Sequence, residues 1–181
     1  MSRHLVFDTE TTDLLKPSAS DLKSQPKIIE IGLVELHAAD GIATIYTEHS
    51  WLIHPGETIT AETTKITGIT ADMLVGKPSF VDILPELEAT FKGVDGLVCH
   101  NLPFDLGMLV TELRRCGREH AFPYPPKQLC TVSAYHFLKG HNLKLTDLYK
   151  HVMGVELAQT HRALDDARAL AQIVIKEGIL T

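Results

Sequence analysis

Residues 4–14 read HLVFDTETTDL, and the fold turns on how this stretch is understood. His4 to Phe7 is an apolar run of the kind that fills a buried strand, yet it ends by delivering Asp8 and Glu10. Side chains alternate along a strand, so positions i and i+2 point the same way and the two carboxylates share a face. Like charges that close repel each other, and burial raises the cost, unless a cation lies between them or water reaches both. The strand end is therefore either a solvated rim or a cation site.

Working outward, residues 15–27 form a polar segment with Pro17 and Pro26 that reads as an exposed loop, open to motion. IIEIGLVEL (28–36) and IATIYTEHSWLI (42–53) are β-rich runs, and the HAADG between them predicts a hairpin. From Ser79 the period lengthens. Phe80, Ile83, Leu84, Leu87 and Phe91 stand at helical spacing, with Gly93 as the stop. LVCH (97–100) reads as a short strand, followed by a helical stripe of Leu106, Leu109, Val110 and Leu113 that closes at Gly117. Two more helices follow, over 145–154 and 160–178; the last carries Leu164, Ala167, Leu170, Ala171 and Val174 on one side. Three strands followed by alternating helix and strand predict one α/β domain over residues 1–181, a mixed sheet covered by helices.

The totals agree with a globular chain of ordinary size: 181 residues, 44% hydrophobic and 22% charged. Cys99, Cys116 and Cys130 lie far apart with no C-x-x-C pair, which points away from a disulfide framework or zinc knuckle and toward a reducing, cytoplasmic setting. MSRHLVFD has no apolar signal core, and no stretch approaches the roughly 20 apolar residues of a membrane span, so a soluble, unexported protein is expected. A net charge of −6 counts against a protein that simply coats phosphates. That objection weakens if several carboxylates are committed to divalent cations, which present positive charge to an anionic substrate.

Acids recur at places that matter in such a sheet. Asp105 follows the strand-like LVCHN and opens a helix, at the carboxyl end of a strand where α/β sheets bind ligands; it also suits helix capping. HNLPFD sets His100, Asn101 and Phe104 at the same rim. On the last helix Leu170 lies four after Asp166, which turns Asp166 inward. Asp165, three residues from both Arg162 and Arg168, reads as a solvated ion-pair position. His161 then falls at the helix start behind Thr160 as a cap, free to swing, and is either structural or catalytic. Four hard oxygen donors suit Mg²⁺ or Mn²⁺ better than zinc. Two such ions about 4 Å apart can activate water and hold the oxygens of an in-line phosphoryl displacement. An imidazole with a reference pKa of about 6.5 can take the water's proton.

DTETT (8–12), IIEIG (28–32), HNLPFD (100–105) and HRALDDA (161–167) resemble, in order and over nearly the whole chain, the motifs of the DnaQ-like DEDD 3′-to-5′ exonucleases. The last motif, with its H-x4-D spacing, is similar to that of the histidine (DEDDh) subclass. The resemblance implies a ribonuclease H-like fold, a mixed five-stranded sheet with helices on both faces, and release of 5′-mononucleotides from 3′ ends with two divalent cations, Mg²⁺ or Mn²⁺. It implies that Asp8 bridges both metals, that Glu10, Asp105 and Asp166 complete the cage, and that His161 is the general base. Thr11, Leu14, Asn101 and Phe104 match substrate-contacting positions, with Leu14 as an apolar wedge; ordinary core packing is the other reading of Leu14 and Phe104. Thr67 stands where relatives often carry a histidine, and Asp13 where the family usually has glycine. The chain ends soon after the last helix, so a stand-alone nuclease is expected rather than a dedicated polymerase subunit. DNA 3′ ends, preferentially single-stranded, are the expected substrate. An RNA-trimming exonuclease and a non-catalytic polymerase- or nucleic-acid-binding module are the alternatives.

Overall fold

The computed structural model of the chain describes residues 1–16, 21–138 and 140–180. Its strands are β1 (Ser2–Thr11), β2 (Ile28–Ala39), β3 (Ile42–Leu52), β4 (Gly96–Cys99) and β5 (Lys127–Cys130). Its helices are α1 (Ala61–Thr67), α2 (Ala71–Leu74), α3 (Phe80–Phe91), α4 (Leu102–Arg115), α5 (Thr131–Ala134), α6 (Leu145–Met153) and α7 (Ala163–Glu177). The sheet order is β3-β2-β1-β4-β5, with β1, β2 and β3 antiparallel and β4 and β5 joining parallel to β1. It is the mixed five-stranded sheet expected.

β1 explains the layering. Leu5, Val6 and Phe7 are all fully buried because both faces of this central strand are covered. Leu5 and Phe7 join Leu87 and Phe91 of α3 and Met108 and Leu109 of α4. Val6 joins Val34 and Val98 against Leu148 of α6 and Leu170 and Val174 of α7. At about 1.5–3 kcal/mol for each large apolar side chain removed from water, this two-sided burial makes β1 the element around which the rest packs.

Several details differ from the sequence expectation. The hairpin is tighter, since β2 runs on to Ala39 and β3 starts at Ile42, leaving only Asp40 (φ 52) and Gly41 (φ 79) between them. Positive φ at both positions gives a turn whose twist matches that of the strands. β5 has no counterpart in the residue-by-residue reading, because KQLC is short and only half-buried or exposed. On α4 the buried face is Asp105, Met108, Leu109, Glu112 and Leu113, whereas Leu106 and Val110 are half-buried. Two acids on that face disguised it: Glu112 is buried because it accepts the Ile28 amide at 3.1 Å and pairs with Arg115 at 2.9 Å. The loop before β2 is pinned where it is described. A 3₁₀ turn over Leu22–Ser24 and Gln25 receive the Arg115 guanidinium on the Leu22 and Gln25 carbonyls, both at 2.8 Å, and Pro26 is buried. Pro17 lies outside the described residues.

Candidate active site

By strand alternation Asp8 and Glu10 continue the face of Val6, beyond the point where apolar packing ends. Across the antiparallel ladder Gly32 opposes Asp8 and Glu30 opposes Glu10, and the register shifts just after, between Glu10 and Thr11. Such a bulge bends a strand where it must place side chains rather than pair. α7 crosses this face and brings down buried Asp166 from its first turn. One oxygen each of Asp8, Glu10 and Asp166 lie within 4.8 Å of one another. Asp105 arrives from the opposite layer, on the face of Leu5 and Phe7. Its Oδ1 accepts the Thr9 amide at 3.1 Å and the Thr9 hydroxyl at 2.8 Å. It stands outside the group of three and lines the same cleft, of about 560 Å³. His161, Asn101 and Phe104 line that cleft too.

The electrostatics follow from this crowding. Burial pushes the Asp8 carboxyl well up, and Asp105, Asp166, Glu10 and Glu30 push it further. Glu10 is pushed up to about 8 by burial and then by Asp166, Glu30 and Asp105, with Arg162 working against them. Burial also takes Asp105 to about 7, opposed by the Thr9 hydrogen bonds. Asp166 is raised by burial and held back by the Gln159 amide, which donates to its Oδ2 at 2.8 Å, and by His161. The adjacent guanidinium, Arg162, is committed to Glu30. Without an added cation, then, this cluster favours protons over full ionisation. Its donors are all carboxylate oxygens, the set that suits Mg²⁺ or Mn²⁺, so the residues fit the expected cations.

Thr11 and Leu14 line a second groove of about 490 Å³, together with Ile66 and Thr67 of α1; Glu10 and Phe104 border both spaces. Leu14 is 70% exposed, which excludes the core-packing reading for it, whereas Phe104 is half-buried against the α3–α4 core. Thr67 is turned into its own helix end, donating to the Thr63 carbonyl at 2.9 Å and accepting the Ile69 amide at 3.1 Å. Asp13 has no left-handed φ and accepts the Leu14 amide at 2.8 Å, so this turn does not require glycine. His100 is a structural residue: Nδ1 meets the Thr131 hydroxyl at 2.9 Å, Nε2 meets the Leu143 carbonyl at 3.0 Å, and burial lowers its pKa.

On the last helix Asp166 is turned inward, as its spacing predicts, and Asp165 takes Arg168 at 2.9 Å. Two neighbouring expectations do not. Thr160 is no cap; it donates to Asp165 at 2.7 Å, and the helix starts later, at Ala163. Arg162 does not pair with Asp165 but with Glu30, whose carboxylate also accepts the Ala163 amide at 3.0 Å and so caps α7 from another element. Glu30 and Gln159 went unassigned in sequence. Glu30 did leave a signal, as a lone acid inside the apolar IIEIG; Gln159 left none.

A mixed five-stranded sheet of this order, helices on both faces and carboxylates gathered at the end of its first strand define a ribonuclease H-like domain. Residues 5–174 match the RNase_T family, described as Exonuclease, and the chain belongs to it, within the DnaQ-like DEDD group. The chain is 34% identical over 171 residues to the DNA polymerase III subunit epsilon of Treponema pallidum, covering 92% of this chain and 72% of that protein. It is 33% identical over 171 residues to the PolC-type DNA polymerase III of Clostridium perfringens, of which those residues, 94% of this chain, make up 11%. Among solved structures it is similar to exonuclease X in complex with 5′ overhanging duplex DNA, at 26% identity and TM-score 0.63, covering 97% of this chain and 89% of that one. The nuclease domain of 3′hExo, a DEDDh family member bound to rAMP, shares the fold at 18% identity and TM-score 0.73, covering 97% and 90%.

Proposed function

We propose that this chain is a 3′-to-5′ exonuclease that releases 5′-mononucleotides from DNA ends using two divalent cations, Mg²⁺ or Mn²⁺. The observation that carries the reading is the convergence of Asp8, Glu10 and Asp166 within 4.8 Å, in one cleft with Asp105 and His161. Asp8, Glu10, Asp105 and Asp166 would hold the cations, which when bound supply Lewis-acid activation of water and charge neutralisation at the phosphate. The chain's own residues do the rest. His161 is exposed and lines the cleft, which supports the reading that its imidazole takes a proton from the attacking water. Exposed Leu14 and half-buried Phe104 offer apolar surface to the terminal base, and Thr11 and Asn101 offer polar groups beside it. A terminal nucleotide must leave its partner strand to lie in this groove, which favours single-stranded ends.

DNA is the preferred substrate on two supports: the similarity to a DNA polymerase III subunit, and to a nuclease solved with duplex DNA. The RNA reading is supported by the 3′hExo fold, solved bound to rAMP. Purified protein with Mn²⁺, given 3′-labelled DNA and RNA oligomers of one sequence, decides between them. Faster shortening of the single-stranded DNA is expected. Shortening of the RNA alone overturns the DNA assignment, and binding with no cleavage of either makes the chain a non-catalytic module.

A further inference from the structure

Glu30 sits on β2 with only 1% of its surface exposed, opposite Glu10 in the ladder. A carboxylate so placed beside another is costly unless fully partnered. Among the described residues, the hydrogen-bond partners of its carboxylate come from the start of α7. The Arg162 Nε donates to Glu30 Oε2 at 3.0 Å and Nη2 to Oε1 at 2.5 Å, and the Ala163 amide donates to Oε2 at 3.0 Å. Two residues along β2, Gly32 makes room for the same turn: a Cβ there would lie 2.3 Å from the Ala163 carbonyl carbon and the Leu164 nitrogen. On the other side of this clamp His161 has φ 52, a left-handed backbone that is uncommon for a non-glycine residue. Asp166 follows four residues after Arg162, its amide bonded to the Arg162 carbonyl at 3.0 Å.

We propose that Glu30 and Arg162 form a positioning clamp that locks the first turn of α7 to β2 and thereby holds His161 and Asp166 in register with Asp8 and Glu10. This rests on the exonuclease reading for His161 and Asp166. Neither clamp residue is among those lining the cleft, so both act through the residues they fix. Loss of such supporting contacts typically costs 10–100-fold in activity or metal affinity.

The test compares Glu30→Gln, Arg162→Gln and the double variant with the wild type on a 3′-labelled single-stranded oligonucleotide with Mn²⁺. Each single variant is expected to lower kcat about 10–100-fold with KM changed less than about threefold. The double variant should cost no more than the worse single, because either change opens the same clamp. In the metal-free protein, amide hydrogen exchange at Ala163 and Asp166, the amides bonded to Glu30 and to the Arg162 carbonyl, should quicken at least tenfold while the β1 amides stay protected. Unchanged kcat, a loss that falls on KM instead of kcat, or additive losses in the double variant overturns the clamp. An inactive wild type overturns the exonuclease reading instead. Hydrogen exchange then still judges the clamp: unaltered exchange at Ala163 and Asp166 in both single variants removes it.

Discussion

Asp8 is the residue on which most depends. It is crowded by every other acid of the cluster, and burial together with those neighbours holds its carboxyl well above the ordinary carboxylate range. Asp8→Ala removes a side chain outside the apolar core, so the expected outcome is loss of Mn²⁺-dependent nucleolysis with the circular dichroism spectrum retained. Persisting activity would mean that the cations are held elsewhere. On the last helix, His161→Ala is expected to lower kcat by about 10²–10⁴-fold, the usual contribution of a general base. Asp165→Ala should change it less than about threefold, because among the described residues its side-chain hydrogen bonds go to Arg168 and Thr160. Equal losses in these two variants would show that the wrong group was assigned the proton. Both comparisons are read from steady-state rates on one labelled oligomer.

At the scale of elements, the site is a meeting of β1, α4 and α7, each held to its neighbour by a polar contact rather than by apolar packing alone. Thr9 ties β1 to α4 through Asp105, and Glu30 ties β2 to α7. Gly32 shows how tight the second junction is. Gly32→Ala should destabilise the protein by about 1–3 kcal/mol, the range for overpacking, and displace the start of α7. Urea unfolding and the exonuclease rate measure the two effects, and a variant with unaltered stability would show that the helix does not approach this strand so closely. These junctions also mark what could be read from sequence. β1 was legible because three consecutive buried residues give way to D-x-E, and α7 because its apolar stripe fixed which of two adjacent acids turns inward. β5 and the true face of α4 were not. KQLC carries too little apolar pattern, and Asp105 and Glu112 are buried acids whose partners, Thr9, Ile28 and Arg115, come from distant segments or become evident only in the fold. The role of Glu30 was hidden for the same reason, since Arg162 stands 132 positions away in the chain.

For the whole molecule, a packed carboxylate cluster sets function against stability. Unfolded carboxyls titrate near 4, whereas in the fold Glu10 rises to about 8 and Asp105 to about 7. Between those limits the folded state holds more protons than the unfolded one, so the metal-free protein loses stability as pH rises from 5 to 8. Glu35 acts with the opposite sign: burial pushes its pKa up, but Arg3 and His37 together outweigh it and hold it below the ordinary value, so the stability it lends is lost only as pH falls below about 4. Thermal melts of metal-free protein should therefore give a higher Tm at pH 5 than at pH 8, with Mg²⁺ or Mn²⁺ closing most of the gap. Glu10→Gln should raise the metal-free Tm at pH 8 by about 2–6 °C. A metal-free Tm that is flat across this range would mean that the acids do not crowd one another. The most direct test is anomalous diffraction from crystals soaked with Mn²⁺ and a 5′-mononucleotide. Two peaks between Asp8, Glu10, Asp105 and Asp166, with the phosphate facing His161, are predicted. Manganese bound away from these four carboxylates, or absent from them, would contradict the account.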